Sequence, residues 1–207
     1  MGRQKLLFTA LLAITLHAQQ FSDAERKFLD SADEALGVHA GAVIADIGTG
    51  RAVYNPLRIA EKVGISGKVV CVDIRRDMID SLREQAESHH LKNIEAILGK
   101  EDDPLLAAGA FDGVFVSHTY HEFTKPVAML KHIHDALKSE GVLLVLESYT
   151  NTDRSTSRLQ QAKWHDLLPE ILERELSAAG FITEGHTDLV PPNGGKVQYF
   201  IKAKIAK

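Results

Sequence analysis

The chain has 207 residues, 44% of them hydrophobic and 25% charged, so it is long enough for one domain of ordinary size. These proportions exclude a disordered chain, a collagen-like repeat and a membrane protein with several spans. The formal charge of −4 gives no support for a nucleic-acid partner, and a single cysteine excludes an internal disulfide or a thiolate metal cluster.

The first 18 residues have the pattern of a secretory signal peptide. Two basic residues precede the uncharged and mostly apolar run Leu6–Leu16, and Ala18 is a small residue that a signal peptidase could accept. The run is shorter than the roughly 20 residues that span a bilayer. We therefore predict an exported protein, periplasmic or secreted, in which residues 19–207 form one domain. An uncleaved membrane anchor is the alternative, and a helix packed on the domain is disfavoured because the run has no polar face.

Helical and strand patterns alternate along the rest of the chain. The first helix is predicted over Ser22–Leu36, with Ser22 as N-cap and Glu25 at the spacing of a capping box. The other predicted helices are Pro56–Val63, Arg75–His90, Pro126–Leu137 and Arg158–Ala179. Pro169 must start or kink a segment within the last of these. The predicted strands are Ala42–Ile47, Lys68–Ile74, Asn93–Leu98, Phe111–Val116, Gly141–Glu147, Phe181–Val190 and Val197–Ile205.

This alternation predicts an α/β domain with a doubly wound, mostly parallel sheet and helices on both faces. The final two strands depart from the pattern, since only five residues, 191–195, form the turn between them. Such a turn can join only antiparallel neighbours, so the sheet should end in an antiparallel C-terminal hairpin.

A glycine turn follows the first buried strand, and two acids lie near it, one just before the turn and one at the end of the neighbouring second strand. Gly48 and Gly50 let the backbone approach a ligand closely, and Asp46 precedes them. Asp73 ends the second strand, where a carboxylate can accept hydrogen bonds from two ribose hydroxyls. The arrangement predicts a nucleoside-containing cofactor at the carboxyl ends of these strands.

Two cofactors fit such a turn, a nicotinamide dinucleotide and S-adenosylmethionine. The dinucleotide fingerprint needs a third small residue, but Val53 occupies that position. Asp46 would repel a pyrophosphate, whereas it suits the ammonium group of an amino acid. The turn therefore favours S-adenosylmethionine, with a nicotinamide-dependent oxidoreductase as a disfavoured alternative.

Six motifs in order resemble those of class I S-adenosylmethionine-dependent methyltransferases and cover roughly 38–205. They are VIADIGTG, VVCVDI, GKEDDP, FDGVFVSHTYHEF, ALKSEGVLLVLE and ERELSAAGF. The segment from TYHEF to AGF is most similar to a subgroup of bacterial methyltransferases that carry signal peptides. The resemblance implies a Rossmann-like sheet of seven strands whose last strand is antiparallel.

The resemblance also implies roles for individual residues. Asp46, Gly48 and Gly50 would line the methionine moiety of the cofactor, and Asp73 would hold its ribose. The residues implied around the remainder of the cofactor are Ile74 on the adenine, Glu101 or Asp102 at its amino group, and Ser117 at the end of the fourth strand.

Methyl transfer is an in-line displacement that depends chiefly on positioning, although an oxygen or nitrogen acceptor of high pKa also needs a general base. His121 is the first candidate for that base and Tyr120 for positioning the substrate, because both follow the fourth strand. The alternative is that His121 and Glu122 only cap the next segment. His118, His121 and Glu122 make a thin set of metal ligands, so no metal is expected.

The sequence leaves the acceptor open, and a small molecule is the expected partner. Arg51-Ala52 replaces the last pair of the family's usual glycine motif. That departure motivates a second hypothesis, a noncatalytic binding protein with an altered cofactor turn. Cys71 lies within a predicted buried strand and is expected to be inert.

Overall fold

A computed structural model describes residues 22–51, 54–150, 153–189 and 195–206. The predicted signal segment, Ala52 and Val53 in the cofactor turn, and most of the last predicted turn lie outside the described residues.

The described elements follow the predicted alternation of helices and strands. The helices are α1 (Asp23–Leu36), α2 (Tyr54–Val63), α3 (Arg76–Ser88), α4 (Pro126–Ala136), α5 (Arg158–Lys163) and α6 (Pro169–Ala178). The strands are β1 (Val43–Ile47), β2 (Lys68–Asp73), β3 (Ile94–Leu98), β4 (Phe111–Ser117), β5 (Leu137–Tyr149), β6 (Phe181–Leu189) and β7 (Val197–Ile205). A single 3₁₀ turn, Tyr120–Glu122, follows β4.

The strands form one seven-stranded sheet in the order β3-β2-β1-β4-β5-β7-β6. The first five strands are parallel, while β7 is antiparallel to both β5 and β6. This confirms the predicted α/β fold and the C-terminal hairpin. Because β1 lies between β2 and β4, the chain reverses its direction of travel across the sheet there, and a crevice opens at the carboxyl ends of these strands.

Local sequence signals explain where most of the elements begin and end. Ser22 and Glu25 form the predicted capping box, with the Ser22 backbone N–H donating to Glu25 Oε2 over 2.7 Å. Pro169 begins α6 rather than kinking a longer helix, because its ring is compatible with a first helical turn. The strand predicted from Gly141 instead starts at Leu137, directly after α4, and its register against β4 shifts between Phe111 and Gly113.

Apolar side chains cover both faces of the sheet. One face packs against α4 and α6 through residues such as Leu130 and Leu172. The other packs against α1, α2 and α3 through residues such as Leu36, Ile59 and Leu82. None of the helices in the described part of the chain is long and apolar enough to cross a membrane. The two cores hold the strands rigidly, which fixes the carboxyl ends at which the site lies.

Candidate cofactor and acceptor site

A cleft of about 450 Å³ lies at the carboxyl ends of β1, β2 and β4. That volume is typical of a site for a small molecule, and its position at the crossover point of the sheet is where doubly wound folds bind ligands. The walls come from the turn after β1, the end of β2, the turn after β3 and the segment after β4. Four sequence-distant segments therefore converge on one opening.

The glycine turn after β1 forms the floor of the cleft. Gly48 has a φ of +75° and donates its N–H to the carbonyl of Val72 over 2.7 Å. Its carbonyl accepts a hydrogen bond of 3.0 Å from Thr119 Oγ1. A Cβ atom at Gly48 would lie 2.1 Å from Thr119 Cγ2, so only glycine fits between these two segments.

Asp73 is held in place by two backbone groups. Its Oδ2 accepts from the N–H of Gly50 and its Oδ1 from the N–H of Arg75, each over 2.9 Å. A carboxylate has about four acceptor positions, so two remain for the hydroxyls of a ribose. The Asp73 carboxylate, already held in place, and the glycine turn together fit S-adenosylmethionine.

Of the residues that the resemblance placed around the adenine, Ile74 and Glu101 line the cleft and Asp102 does not. Ile74 lines the cleft with an apolar side chain that is 55% exposed, which suits packing on a planar base. Glu101 also lines the cleft. Asp102 instead accepts a hydrogen bond of 2.9 Å from Lys125, and this bond lowers the pKa of the Asp102 carboxyl. Of the two acids, Glu101 is the one placed to meet a bound base.

The segment after β4 supplies the opposite wall. Ser117 lines the cleft and its Oγ accepts a hydrogen bond of 3.3 Å from Asn55 Nδ2 at the start of α2. His118 also lines the cleft and has a φ of +49°, a conformation that is uncommon outside glycine and concentrates at functional sites. Burial lowers the pKa of His118, so its imidazole is neutral at pH 7.

Tyr120 and His121 do not line this cleft. Tyr120 is fully buried, and its hydroxyl donates to Glu175 over 2.9 Å, so it has no surface for positioning a substrate in this conformation. His121 is 4% exposed. Its Nδ1 lies 3.0 and 3.1 Å from the two carboxylate oxygens of the buried Glu147, and its Nε2 lies 3.1 Å from Nδ1 of His165.

A family described as "Methyltransferase domain" matches residues 38–184. The chain belongs to that methyltransferase family. Membership confirms the predicted class of protein, and with it S-adenosylmethionine as the cofactor. The noncatalytic hypothesis is not favoured by these findings.

Two relatives illustrate how this methyltransferase-domain chain compares with characterised proteins. It is 33% identical over 122 residues to nocamycin O-methyltransferase of Saccharothrix syringae, covering 58% of this chain and 41% of that protein. It is 30% identical over 134 residues to the ubiquinone/menaquinone biosynthesis C-methyltransferase UbiE of Hahella chejuensis, covering 64% of this chain and 53% of that protein. The chain thus matches about half or less of each relative's length.

Solved structures of a methyltransferase and of a cyclase share the fold. A SAM-dependent methyltransferase from Aquifex aeolicus superposes with a TM-score of 0.71 at 22% identity, over 89% of this chain and 90% of that one. The [4+2]-cyclase SpnF also superposes with a TM-score of 0.71, at 16% identity, over 87% of this chain and 84% of that one. The methyltransferase fold therefore extends over nearly the whole described chain.

Several residues of the methyltransferase site could not be assigned from sequence. Thr119 locks the glycine turn, yet nothing in its sequence context marks it. Glu147 and His165 join His121 only because β5 and the loop after α5 meet beside the 3₁₀ turn. Cys71 is fully buried, as expected, and burial raises the pKa of its thiol well above the ordinary value.

Asp46 lies beneath the turn and does not line the cleft. Burial raises the pKa of its carboxyl from 3.8 to about 7, and the nearby charge of Asp73 adds to the rise. The folded chain thus holds this proton more tightly than the unfolded chain. Ionisation of Asp46 therefore lowers the free energy of unfolding progressively as the pH rises from about 4 to 7, and it lowers it no further above pH 7.

We expect Asp46→Asn to be more stable than the wild type at pH 8, because the amide carries no charge to bury. The advantage should grow by about 2 to 3 kcal/mol between pH 5 and pH 8, because the wild type loses about 1.4 kcal/mol for each pH unit between the two pKa values and about two of those units lie in this range. Urea unfolding at the two pH values measures it. An advantage that stays constant across this range would show that Asp46 has an ordinary pKa in the folded chain.

Proposed function

We propose that this chain transfers a methyl group from S-adenosylmethionine to a small organic molecule. The observation that carries the proposal is the cleft at the carboxyl ends of β1, β2 and β4. Two backbone N–H groups hold Asp73 there in a position to bind a ribose, and His118 lines the same cleft. The acids at this cleft, Asp73, Glu101 and Glu122, outnumber its cations, Arg75 and Lys100, and this balance disfavours a pyrophosphate and hence the nicotinamide alternative.

The bound cofactor supplies an electrophilic methyl group on a sulfonium. The chain's own residues contribute binding and orientation, with Asp73 accepting from the ribose and Ile74 packing on the base. Neutral His118 is the cleft residue suited to accept a proton from an acceptor hydroxyl or amine. On methylation of such an acceptor its proton would pass to His118, and the cofactor would leave as S-adenosylhomocysteine.

A small-molecule acceptor is supported by the names of the matched relatives. These are enzymes named for nocamycin, for ubiquinone and menaquinone biosynthesis and for aklanonic acid. The cleft of about 450 Å³ is within the size range of small-molecule sites. We infer a small organic molecule as the acceptor.

The proposal is tested by turnover. The purified chain is incubated with S-adenosylmethionine and pools of phenols, quinols, carboxylic acids and amines, and S-adenosylhomocysteine is quantified by mass spectrometry. We expect at least one pool to raise product formation well above the no-acceptor background, and His118→Ala to reduce that rate by about 100-fold. Tight cofactor binding with no turnover in any pool would instead support the noncatalytic hypothesis.

We also propose that the chain is exported and belongs to the signal-peptide-bearing subgroup, on the sequence of residues 1–18 alone. Expression in a bacterial host with fractionation tests this proposal. A periplasmic product that begins at Gln19 is expected, whereas an intact chain in the membrane fraction would indicate an anchor. An intact chain in the cytoplasm would contradict both.

A further inference from the structure

Two imidazoles and a carboxylate converge at the edge of the cleft, outside the cofactor turn. They belong to His121, Glu122 and His165, whose ligand-type atoms all lie within 4.8 Å of one another. His121 Nε2 is 3.1 Å from His165 Nδ1 and 3.9 Å from Glu122 Oε1. Two nitrogens at this separation can both bind one ion after a shift of a few tenths of an ångström, since tetrahedral ligands about 2.1 Å from zinc are about 3.4 Å apart.

The other nitrogen of His121 has the partner that metal-binding histidines commonly have. Its Nδ1 donates to Glu147, which is fully buried and also accepts the backbone N–H of His121 over 3.0 Å. This carboxylate fixes the tautomer, so the lone pair of His121 is on Nε2, which lies 3.1 Å from His165 Nδ1. A carboxylate–histidine pair of this kind orients the ring and raises its basicity as a ligand.

His165 is presented by a loop that is tied down at several points. Lys196 donates to the carbonyls of Trp164 and His165 over 2.8 Å each and pairs with Asp166 over 2.7 Å. His165 has a φ of +53° and an exposed position, so the loop holds it in an uncommon conformation beside His121. Such support is what a preorganised ligand requires.

We propose that His121, His165 and Glu122 bind one divalent transition metal ion, with Zn²⁺ as the probe. Two imidazoles and one carboxylate are a set that zinc sites use, and three protein ligands leave a coordination position open. Glu122 lines the cleft, so the open position lies at its edge. A role in binding an oxygen of the acceptor would rest on the proposed function, whereas metal binding itself does not.

Zinc binding by the chelator-treated, tag-free chain tests the proposal, measured by calorimetry and by competition with a chromophoric chelator. We expect one zinc per chain with submicromolar affinity, and Co²⁺ in its place should give visible absorption bands. His165→Ala should weaken binding by about 100-fold or more, and Glu147→Gln by about 10- to 100-fold. Because His165 is exposed, His165→Ala is the substitution expected to disturb folding least.

The matched control is His132→Ala, which removes a partly exposed histidine of α4 whose Nδ1 lies 3.7 Å from Oδ1 of Asp103. It should bind zinc like the wild type. Equal zinc affinity in the wild type and His165→Ala, or no stoichiometric zinc in the wild type, would overturn the proposal and leave a hydrogen-bonded histidine pair. Titration of S-adenosylhomocysteine into the same samples reports the cofactor cleft separately, so failure of one proposal is distinguishable from failure of the other.

Discussion

Gly48→Ala is expected to weaken cofactor binding strongly and to destabilise the fold. The added Cβ would lie 2.1 Å from Cγ2, 2.5 Å from Oγ1 and 2.7 Å from Cβ of Thr119, closer than atoms can pack. Thr119 cannot simply rotate away, because its own Cβ is part of the clash. The φ of +75° adds strain for any residue with a side chain.

We expect Gly48→Ala to lower the free energy of unfolding by about 2 to 4 kcal/mol, the sum of overpacking and backbone strain. Affinity for S-adenosylhomocysteine should fall by about 100-fold or more, because the turn can relieve the clash only by moving into or away from the cleft. Urea denaturation measures the first effect and calorimetric titration the second.

Gly64→Ala is the matched control for this prediction. Gly64 has a similar φ of +67°, but a Cβ there would meet nothing within 4 Å. It should therefore cost only the backbone strain, about 1 kcal/mol, and leave cofactor affinity unchanged. If the two variants lose equal stability and both bind cofactor like the wild type, the contact between the turn and Thr119 does not matter.

Asp73→Ala is expected to reduce affinity for S-adenosylhomocysteine by about 100-fold or more. Two hydrogen bonds from ribose hydroxyls to a charged acceptor would be lost, and each such bond contributes roughly 1.5 to 3 kcal/mol. The N–H groups of Gly50 and Arg75 would also lose their acceptor, which loosens the turn from its cofactor-ready position. Calorimetric titration of both chains gives the ratio of dissociation constants.

Asp112→Ala controls for the general loss of a carboxylate from the sheet. Asp112 also accepts a backbone N–H, that of Val43 over 2.9 Å, and pairs with Lys138 over 2.7 Å, but at the opposite end of β4. Its removal should cost some stability and leave cofactor affinity intact. A wild-type chain that fails to bind S-adenosylhomocysteine while folded, or an Asp73→Ala chain that binds it normally, contradicts the assignment of the cleft.

The strand pattern and the glycine turn were predictable from sequence because they depend on local rules. Buried parallel strands are apolar runs, a capping box has a fixed spacing, and Gly48 and Asp73 lie at the ends of neighbouring strands. Their positions at one edge follow from the sheet topology alone. For the same reason Gly48, Gly50 and Asp73 line the cleft as predicted, whereas Tyr120 and His121 do not line it.

The acceptor end depends on tertiary contacts that no local pattern encodes. Tyr120, His121 and Glu122 are consecutive, and the 3₁₀ turn buries the first two while exposing the third. The sequence grouped His118 with His121, but the fold brings in His165, 44 positions beyond His121. Sequence spacing could not have found this partner, because its placement depends on a loop tied to β7.

Lys196, just before β7, ties the loop that carries His165 to a later part of the chain. The methyl-donor half of the cleft is lined by residues no later than Met129, whereas the loop of the acceptor half that carries His165 is held by Lys196, 67 positions further along the chain. The same separation allows the acceptor half to diverge by substitutions in the C-terminal quarter without disturbing the cofactor turn.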